Sequence, residues 1–364
     1  MPSKISKKNN NKKGKKSKKY SRKTNKKYNN GKSRKLQRGG SISNIEPITP
    51  LDFASRIQEA ESGSVAEQYN LGLDYLIGRG TEKNETEGVR YLKMAIEQGD
   101  IDATLLLGKH YYNKQNYSEA FNLYKKPADA DDGNAEARYI IGMIYKEGHL
   151  GKKNEEEGLR YLKLAADQGY TRAQYKFGIN LFMTKNYSKA FEYLNKAADK
   201  DDAEAQYALY AMYLKGLGVT KDDNKSFNML RNAAENGYYF AQYDYGMDLM
   251  EKGDQDEAFR FFKEAADNGH AESQFMVGMM YYQGDGTVKN ENESLRYLQM
   301  AVKNNHPTAK QFINNMKNIK RVQPVTQIIQ PVEKAPVKQG PVKPRTARWV
   351  SVNGKMIRVT TNTS

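Results

Sequence analysis

Between Ala135 and Gly169 the apolar and small residues fall at helical spacing in two separate runs. Ala135, Tyr139, Ile141, Gly142 and Tyr145 make the first; Leu159, Leu162, Ala165 and Ala166 make the second, which Gly169 ends. The stretch KEGHLG separates them, so the segment predicts two helices folded back on one another. Small residues at Ala135, Gly142, Ala165 and Ala166 let two backbones approach closely. A single hairpin of this size cannot bury its apolar stripe and needs copies of itself on either side.

The copies are present. Taking the Gly of the first helix as a marker, the series is Gly72, Gly108, Gly142, Gly178, Tyr210, Gly246 and Gly278, at steps of 36, 34, 36, 32, 36 and 32 residues. Long units begin at Val65, Ala135, Ala203 and Ala271 and carry a Gly-containing loop; short units begin at Ile101, Thr171 and Tyr239 and carry a tight turn. The small residue of the second helix falls 12 after the marker in short units (Ala120, Ala190, Ala258) and 16 after it in long ones (Gly88, Gly158, Ser226, Ser294). Pro50–Ser62 and Thr308–Asn318 predict lone helices that cap the two ends. Two units break the rule. Tyr210 at the close-contact position predicts a splayed or rotated helix pair, and Pro127 in place of the second-helix Ala predicts a kink or an early end.

The recurring pattern A-E-x-Q-Y-x-x-G-x-x-Y-x-x-G-x-G…A-A-x-x-G stands at Ala66–Tyr75, Ala135–Tyr145, Ala173–Gly178, Ala203–Tyr213 and Ala271–Tyr281. It resembles the Sel-one-like subclass of the tetratricopeptide superfamily, over about two-thirds of the chain. The resemblance implies an all-α fold: a right-handed α-solenoid of seven helix-turn-helix repeats over 51–318 that scaffolds other proteins. It also implies that two positions of each first helix face a concave groove. Three residues before the marker these are Tyr69, Tyr139, Tyr175, Tyr207, Tyr243 and Phe275, with Leu105 in the second unit. One residue after it come Met143, Met247 and Met279, with other residues elsewhere. Tyrosine rings and soft methionines suit an adaptable peptide-binding surface, and the same tyrosines also suit half-burial between units. Members that carry a disulfide in each repeat are excluded, because the chain has no Cys.

Charge divides the chain into three. Residues 1–40 hold 17 Lys or Arg and no acid, and residues 319–364 hold 9 against Glu333 alone. Residues 41–318 hold 33 bases against 42 acids, a net of −9 inside a chain of net +16. Basicity therefore belongs to the tails. Residues 1–45 have almost nothing apolar to repay ordering entropy and are expected to be disordered. Lys12, Lys13, Lys15, Lys16, Lys18 and Lys19 read as a nuclear import signal or as a contact for nucleic acid or another polyanion, with a purely solubilising tail as the bland alternative. Repeated Pro-Val pairs over 319–347 predict an extended linker, and Asn353-Gly354 predicts a type I′ hairpin over 348–360 with Val350 opposite Ile357.

Candidate chemistry is sparse. His110, His149, His270 and His306 are isolated, and the Asp129–Gly133 stretch has Ile140 where a calcium loop requires a carboxylate. The glycine-containing loops lack the Lys-Ser/Thr of a phosphate cradle. No catalytic residue, metal site or cofactor is expected. No apolar run approaches the ~20 residues of a membrane span, and no apolar segment follows the basic N-terminus. With no Cys, the expectation is an intracellular protein, cytoplasmic or nuclear. The reading is a non-enzymatic scaffold for an unidentified protein partner. The alternative is a nucleic-acid-associated protein that acts through its N-terminal tail. On that alternative, affinity for a DNA duplex of any sequence falls steeply between about 50 and 200 mM salt and disappears on deleting residues 1–40. Fluorescence anisotropy checks it, and binding retained in the deletion would move the contact onto the repeats.

Overall fold

The computed structural model describes residues 50–322 and two short strands, 348–352 and 355–359, with side chains over 53–316. A lone helix, α1 (Pro50–Glu61), leads into seven helix pairs. The first three are α2 (Val65–Ile77) with α3 (Glu85–Glu97), α4 (Ile101–Asn113) with α5 (Tyr117–Asp129), and α6 (Ala135–Glu147) with α7 (Glu155–Asp167). Next come α8 (Thr171–Met183) with α9 (Tyr187–Ala198) and α10 (Ala203–Lys215) with α11 (Asp223–Glu235). The last two are α12 (Tyr239–Lys252) with α13 (Gln255–Asp267) and α14 (Ala271–Gln283) with α15 (Glu291–Lys303), closed by α16 (Ala309–Val322). The chain forms an all-α solenoid, and each first helix starts at the residue where the apolar periodicity begins its unit.

Local chemistry sets these boundaries. Second helices start after Asn84, Asn116, Asn154, Asp222, Asp254 and Asn290, whose side chains accept a backbone N–H of the first turn. First helices of long units stop at Gly78, Gly148, Gly216 and Gly284, each left-handed. Inside a unit the two helices meet at the marker glycine. A Cβ on Gly142 would sit 2.9 Å from Leu162 Cγ and 3.0 Å from the Gly158 carbonyl oxygen. The large residue four after the second-helix small residue fills the hollow above the marker: Leu92, Tyr124, Leu162, Leu194, Phe262 or Leu298.

Two recurring side-chain bonds tie units to the element before. Gln68, Gln174, Gln206, Gln242 and Gln274, fourth in their helices, donate to the carbonyls of Ala60, Ala166, Ala198, Ala234 and Ala266 at 2.9–3.3 Å. On the outer side, the hydroxyls of Tyr91, Tyr193 and Tyr297 donate to Glu61 of α1, Asp167 of α7 and Asp267 of α13, two helices back, at 2.9, 2.6 and 2.8 Å. Tyr161 does the same to Asp129. The lone α1 adds a buried ion pair: Asp74, fully buried, accepts from Arg56 Nη1 at 2.7 Å and from Arg79 Nε.

Three expectations change. Pro127 neither shortens nor ends its helix, since α5 runs 13 residues through it to Asp129. Pro127 lies in the last turn, where it forfeits one bond, and its own carbonyl accepts from the Asn134 N–H at 2.8 Å. The chain leaves through an extended Ala130, and Arg138 replaces the usual Gln, donating to the Ala128 and Ala130 carbonyls at 3.0 Å each. Nor does the Tyr210 pair splay. Ser226 Oγ donates to the Tyr210 carbonyl at 3.0 Å, the bond that Ser294 makes to Gly278 at 2.7 Å, while the Tyr210 ring tilts against Tyr207. The end cap is also longer than expected, running past Asn318 to Val322.

β1 (Arg348–Val352) and β2 (Lys355–Val359) pair antiparallel with Val350 opposite Ile357. The expected turn at Asn353-Gly354, most of the linker over 319–347 and the whole 1–45 tail lie outside the described residues. Gly158 tests the helix contact with a definite sign. Ala normally gains ~1 kcal/mol over Gly in a helix. At Gly158 its Cβ would meet Lys146 N at 2.8 Å and the Gly142 carbonyl at 2.9 Å, both backbone. Gly158→Ala is therefore expected to lose about 1–3 kcal/mol in thermal or urea unfolding; a stabilised variant would contradict the contact.

Candidate functional site

The first helices of successive units touch one another, α2 with α4 and α8 with α10, and form one wall of the stack. The fifth residue of each lies along it. Tyr69, Tyr139, Tyr243 and Phe275 are half-buried, whereas Tyr175 and Tyr207 are only 5% and 2% exposed. Met247 and Met279 are half-buried and Met143 is 8% exposed. Half-buried and buried rings alike pack on a residue of the turn into the following helix. Tyr139 meets Tyr170 at 5.2 Å, Tyr207 meets Tyr238 at 5.1 Å, and Tyr243 meets His270 at 5.1 Å. Phe275 stacks on His306 at 4.3 Å. Tyr175, Tyr207 and Met143 are thus mainly packing between units, and the half-buried members keep a face on the wall.

Burial pushes the Tyr139 hydroxyl up to about 12, so it stays a neutral donor at ordinary pH. Burial raises Tyr175 and Tyr207 further, and Tyr207 donates to Asp244 Oδ2 at 2.9 Å. A depression of about 450 Å³ opens in the middle of the wall, with the rings of Tyr139 and Tyr175 at its base. Arg172 and Lys176 of α8 line it, together with Asp201 and Asp202 just before α10 and Glu204 in its first turn. Three successive units therefore build one site. Desolvation raises the Asp202 carboxyl even though it accepts the Ala205 N–H at 2.9 Å.

The arrangement offers charge of both signs over aromatic faces, which suits holding a chain segment. The histidines are occupied elsewhere. His110 Nε2 lies 3.0 Å from Glu85, and His149 stacks on Tyr117 at 3.8 Å. His270 sits among Tyr239, Phe240 and Tyr243, where burial lowers its pKa. Among the described residues no group of His, Cys, Asp and Glu suits a metal ion. The sequence reading missed this aromatic cluster, although YYF opens the sixth unit where most units carry a charged residue. Lys12, Lys13, Lys15, Lys16, Lys18 and Lys19 lie outside the described residues.

Seven stretches match the Sel1 repeat, at 68–100, 102–132, 135–170, 173–202, 201–238, 240–270 and 271–306, one for each helix pair. The chain belongs to the Sel1 repeat family. A Sel1 repeat protein from Oxalobacter formigenes has a similar crystal structure, with 25% identity and a TM-score of 0.61 over 76% of this chain and 83% of that one. Chitin synthase regulatory factor 3 of Schizosaccharomyces pombe is 30% identical over 213 residues, 54% of this chain and 23% of that protein. The ERAD-associated E3 ubiquitin-protein ligase component HRD3B of Arabidopsis thaliana is 26% identical over 231 residues, 50% of this chain and 37% of that one. The chain thus spans less than two-fifths of the length of either relative. No helix of the described Sel1 array is long and apolar enough to cross a membrane.

Tyr175→Ala is expected to cost ~3 kcal/mol or more, because a large ring leaves a closed space. Tyr207→Phe keeps the ring but removes a donor from buried Asp244, at ~1–3 kcal/mol. Urea unfolding measures both, and stability unchanged in the two variants would mean that these rings lie open to the wall.

Proposed function

We propose that this Sel1 array is an adaptor that binds a segment of another protein along the wall formed by its first helices and catalyses no reaction of its own. The observation that carries this reading is the depression across three units. Its opposing charges, Arg172 and Lys176 against Asp201 and Glu204, make no ion pair with each other or with any other described residue. Charges held apart over aromatic rings remain available to a partner, whereas charges paired at close range are already spent. The two relatives, one named a regulatory factor and the other a ligase component, point the same way. A nucleic-acid role rests on the composition of the N-terminal tail alone, and no described residue adds to it.

The experiment isolates a partner with the full chain and then asks which surface releases it. Tyr139→Ala and Arg172→Ala alter the inner wall, while Arg160→Ala and Lys163→Ala alter the outer face of α7. Inner-wall truncation is expected to weaken binding by ~2 kcal/mol or more, as at an interface centre, with the outer pair near neutral. Release by the outer pair alone would place the partner on the other side of the solenoid.

A further inference from the structure

The second residue of each first helix runs in a row along the same wall. In order these are Ala66, Asp102, Glu136, Arg172, Glu204, Phe240 and Glu272. Their relation to the neighbouring rings repeats. Arg172 and Glu204 line one depression with Tyr139 and Tyr175 of the units before them. At one end of the stack, the Asp102 charge acts on the Tyr69 hydroxyl of the preceding unit. Towards the other end, Phe240 lies 5.3 Å from His270, which itself meets Tyr243.

These side chains face outward. Asp102, Arg172, Glu204 and Glu272 are exposed, and Glu136 and Phe240 are half-buried. Asp102, Glu136, Arg172 and Glu204 make no ion pair among the described residues. The spacing along the row is set by helix packing. α8 touches α10 directly, and packed helices lie about 8–10 Å apart. An extended chain rises about 3.3 Å per residue, so it advances about three residues per unit.

We propose that the wall reads an extended partner segment at one residue per unit, and that the segment places a base, an acid, a base and an apolar residue opposite Glu136, Arg172, Glu204 and Phe240. This rests on the adaptor reading above and specifies its partner: a segment of pattern Lys-x-x-Glu-x-x-Lys-x-x-Leu, in one chain direction or the other. Arg172 is the discriminating position. It is the one base in a row whose other charges are all acidic, so a uniformly basic segment meets a like charge there and is disfavoured. The chain's own residues 1–40, with 17 bases and no acid, are such a segment and do not fit.

The test uses the full chain and five fluorescein-labelled synthetic peptides with Ser or Gly at x. They are the pattern peptide, its reversed sequence, a form with every charge inverted, a form with Lys in place of Glu, and a form with Glu in place of the second Lys. One of the first two is expected to bind about tenfold or more tighter than the inverted and all-lysine forms in anisotropy titrations. In Arg172→Glu the preference passes to the all-lysine peptide. In Glu204→Lys it passes to the pattern peptide carrying Glu at the second base. Both sites are exposed, and circular dichroism melts verify that each variant is folded. Equal affinity for the pattern and inverted peptides, a tighter all-lysine peptide on the unaltered chain, or preferences unmoved by both substitutions would overturn the proposal. Failure of every peptide to bind would overturn it too, whereas the adaptor reading is decided separately by which surface releases a natural partner.

Discussion

Every second helix ends on backbone carbonyls that its own turns leave without donors, and the next unit is stacked over them. A buried carbonyl in that position costs ~1–3 kcal/mol if nothing donates to it. The fourth residue of the following helix supplies the donor, a Gln amide in five of the units. Its oxygen then needs a donor in turn. Gln98, Asn236 and Asn304 provide one to Gln68, Gln206 and Gln274 at 2.8–3.0 Å. The Oε1 atoms of Gln174 and Gln242, both in short units, accept no hydrogen bond among the described residues. Unit stacking is thus as much a matter of satisfying helix ends as of burying apolar stripes. The α5–α6 junction shows the same constraint met differently. With Pro127 and an extended Ala130 displacing the usual turn, the longer fork of Arg138 reaches two carbonyls at once.

Local pattern made the architecture legible. The marker glycines, loop signals and caps all act within a few residues, so the starts of the first helices could be read from periodicity. Features that depend on a neighbouring unit were not. The A-E-x-Q-Y pattern displays the Gln without showing that it bonds a carbonyl of the previous unit. Tyr210 and Pro127 break isolated-helix rules whose outcome depends on surroundings: the Tyr210 carbonyl takes the Ser226 hydroxyl, and Pro127 stands in the last turn, where it forfeits a single bond. The candidate wall shows the same division. Tyr139 and Tyr175 occupy equivalent positions, yet one is half-buried and the other buried. Tyr207, packed on Tyr238 as Tyr139 is on Tyr170, is buried too, so depth is set by the fit between whole units, which one sequence position does not reveal.

The two faces of the stack also treat charge differently. Outer helices pair their charges internally: Arg160 with Glu157 at 2.8 Å, Arg296 with Glu293 at 2.8 Å, Lys263 with Asp267 at 2.8 Å. Exposed pairs of this kind add little stability. Their effect is to quench the field of the outer face. On the inner wall Asp102, Glu136, Arg172 and Glu204 make no ion pair among the described residues, so one positive charge set among negative ones survives there as a potential that an approaching chain encounters before contact.

The long loops never rest on one another. The loop of the third unit lays His149 on Tyr117, at the start of the short unit's second helix, with rings 3.8 Å apart. Later, Gly218 and Gly286 press so closely on the backbones of Tyr187 and Gln255 that neither has room for a side chain. In each case a long loop is seated on a short neighbour whose tight turn leaves the space. The true translational period of this array is therefore two units, the 68–70 residues between successive long-unit markers. A gene that lengthens such a protein by copying one unit sets two long loops, or two bare turns, side by side. Copying a pair keeps each long loop seated on a short neighbour.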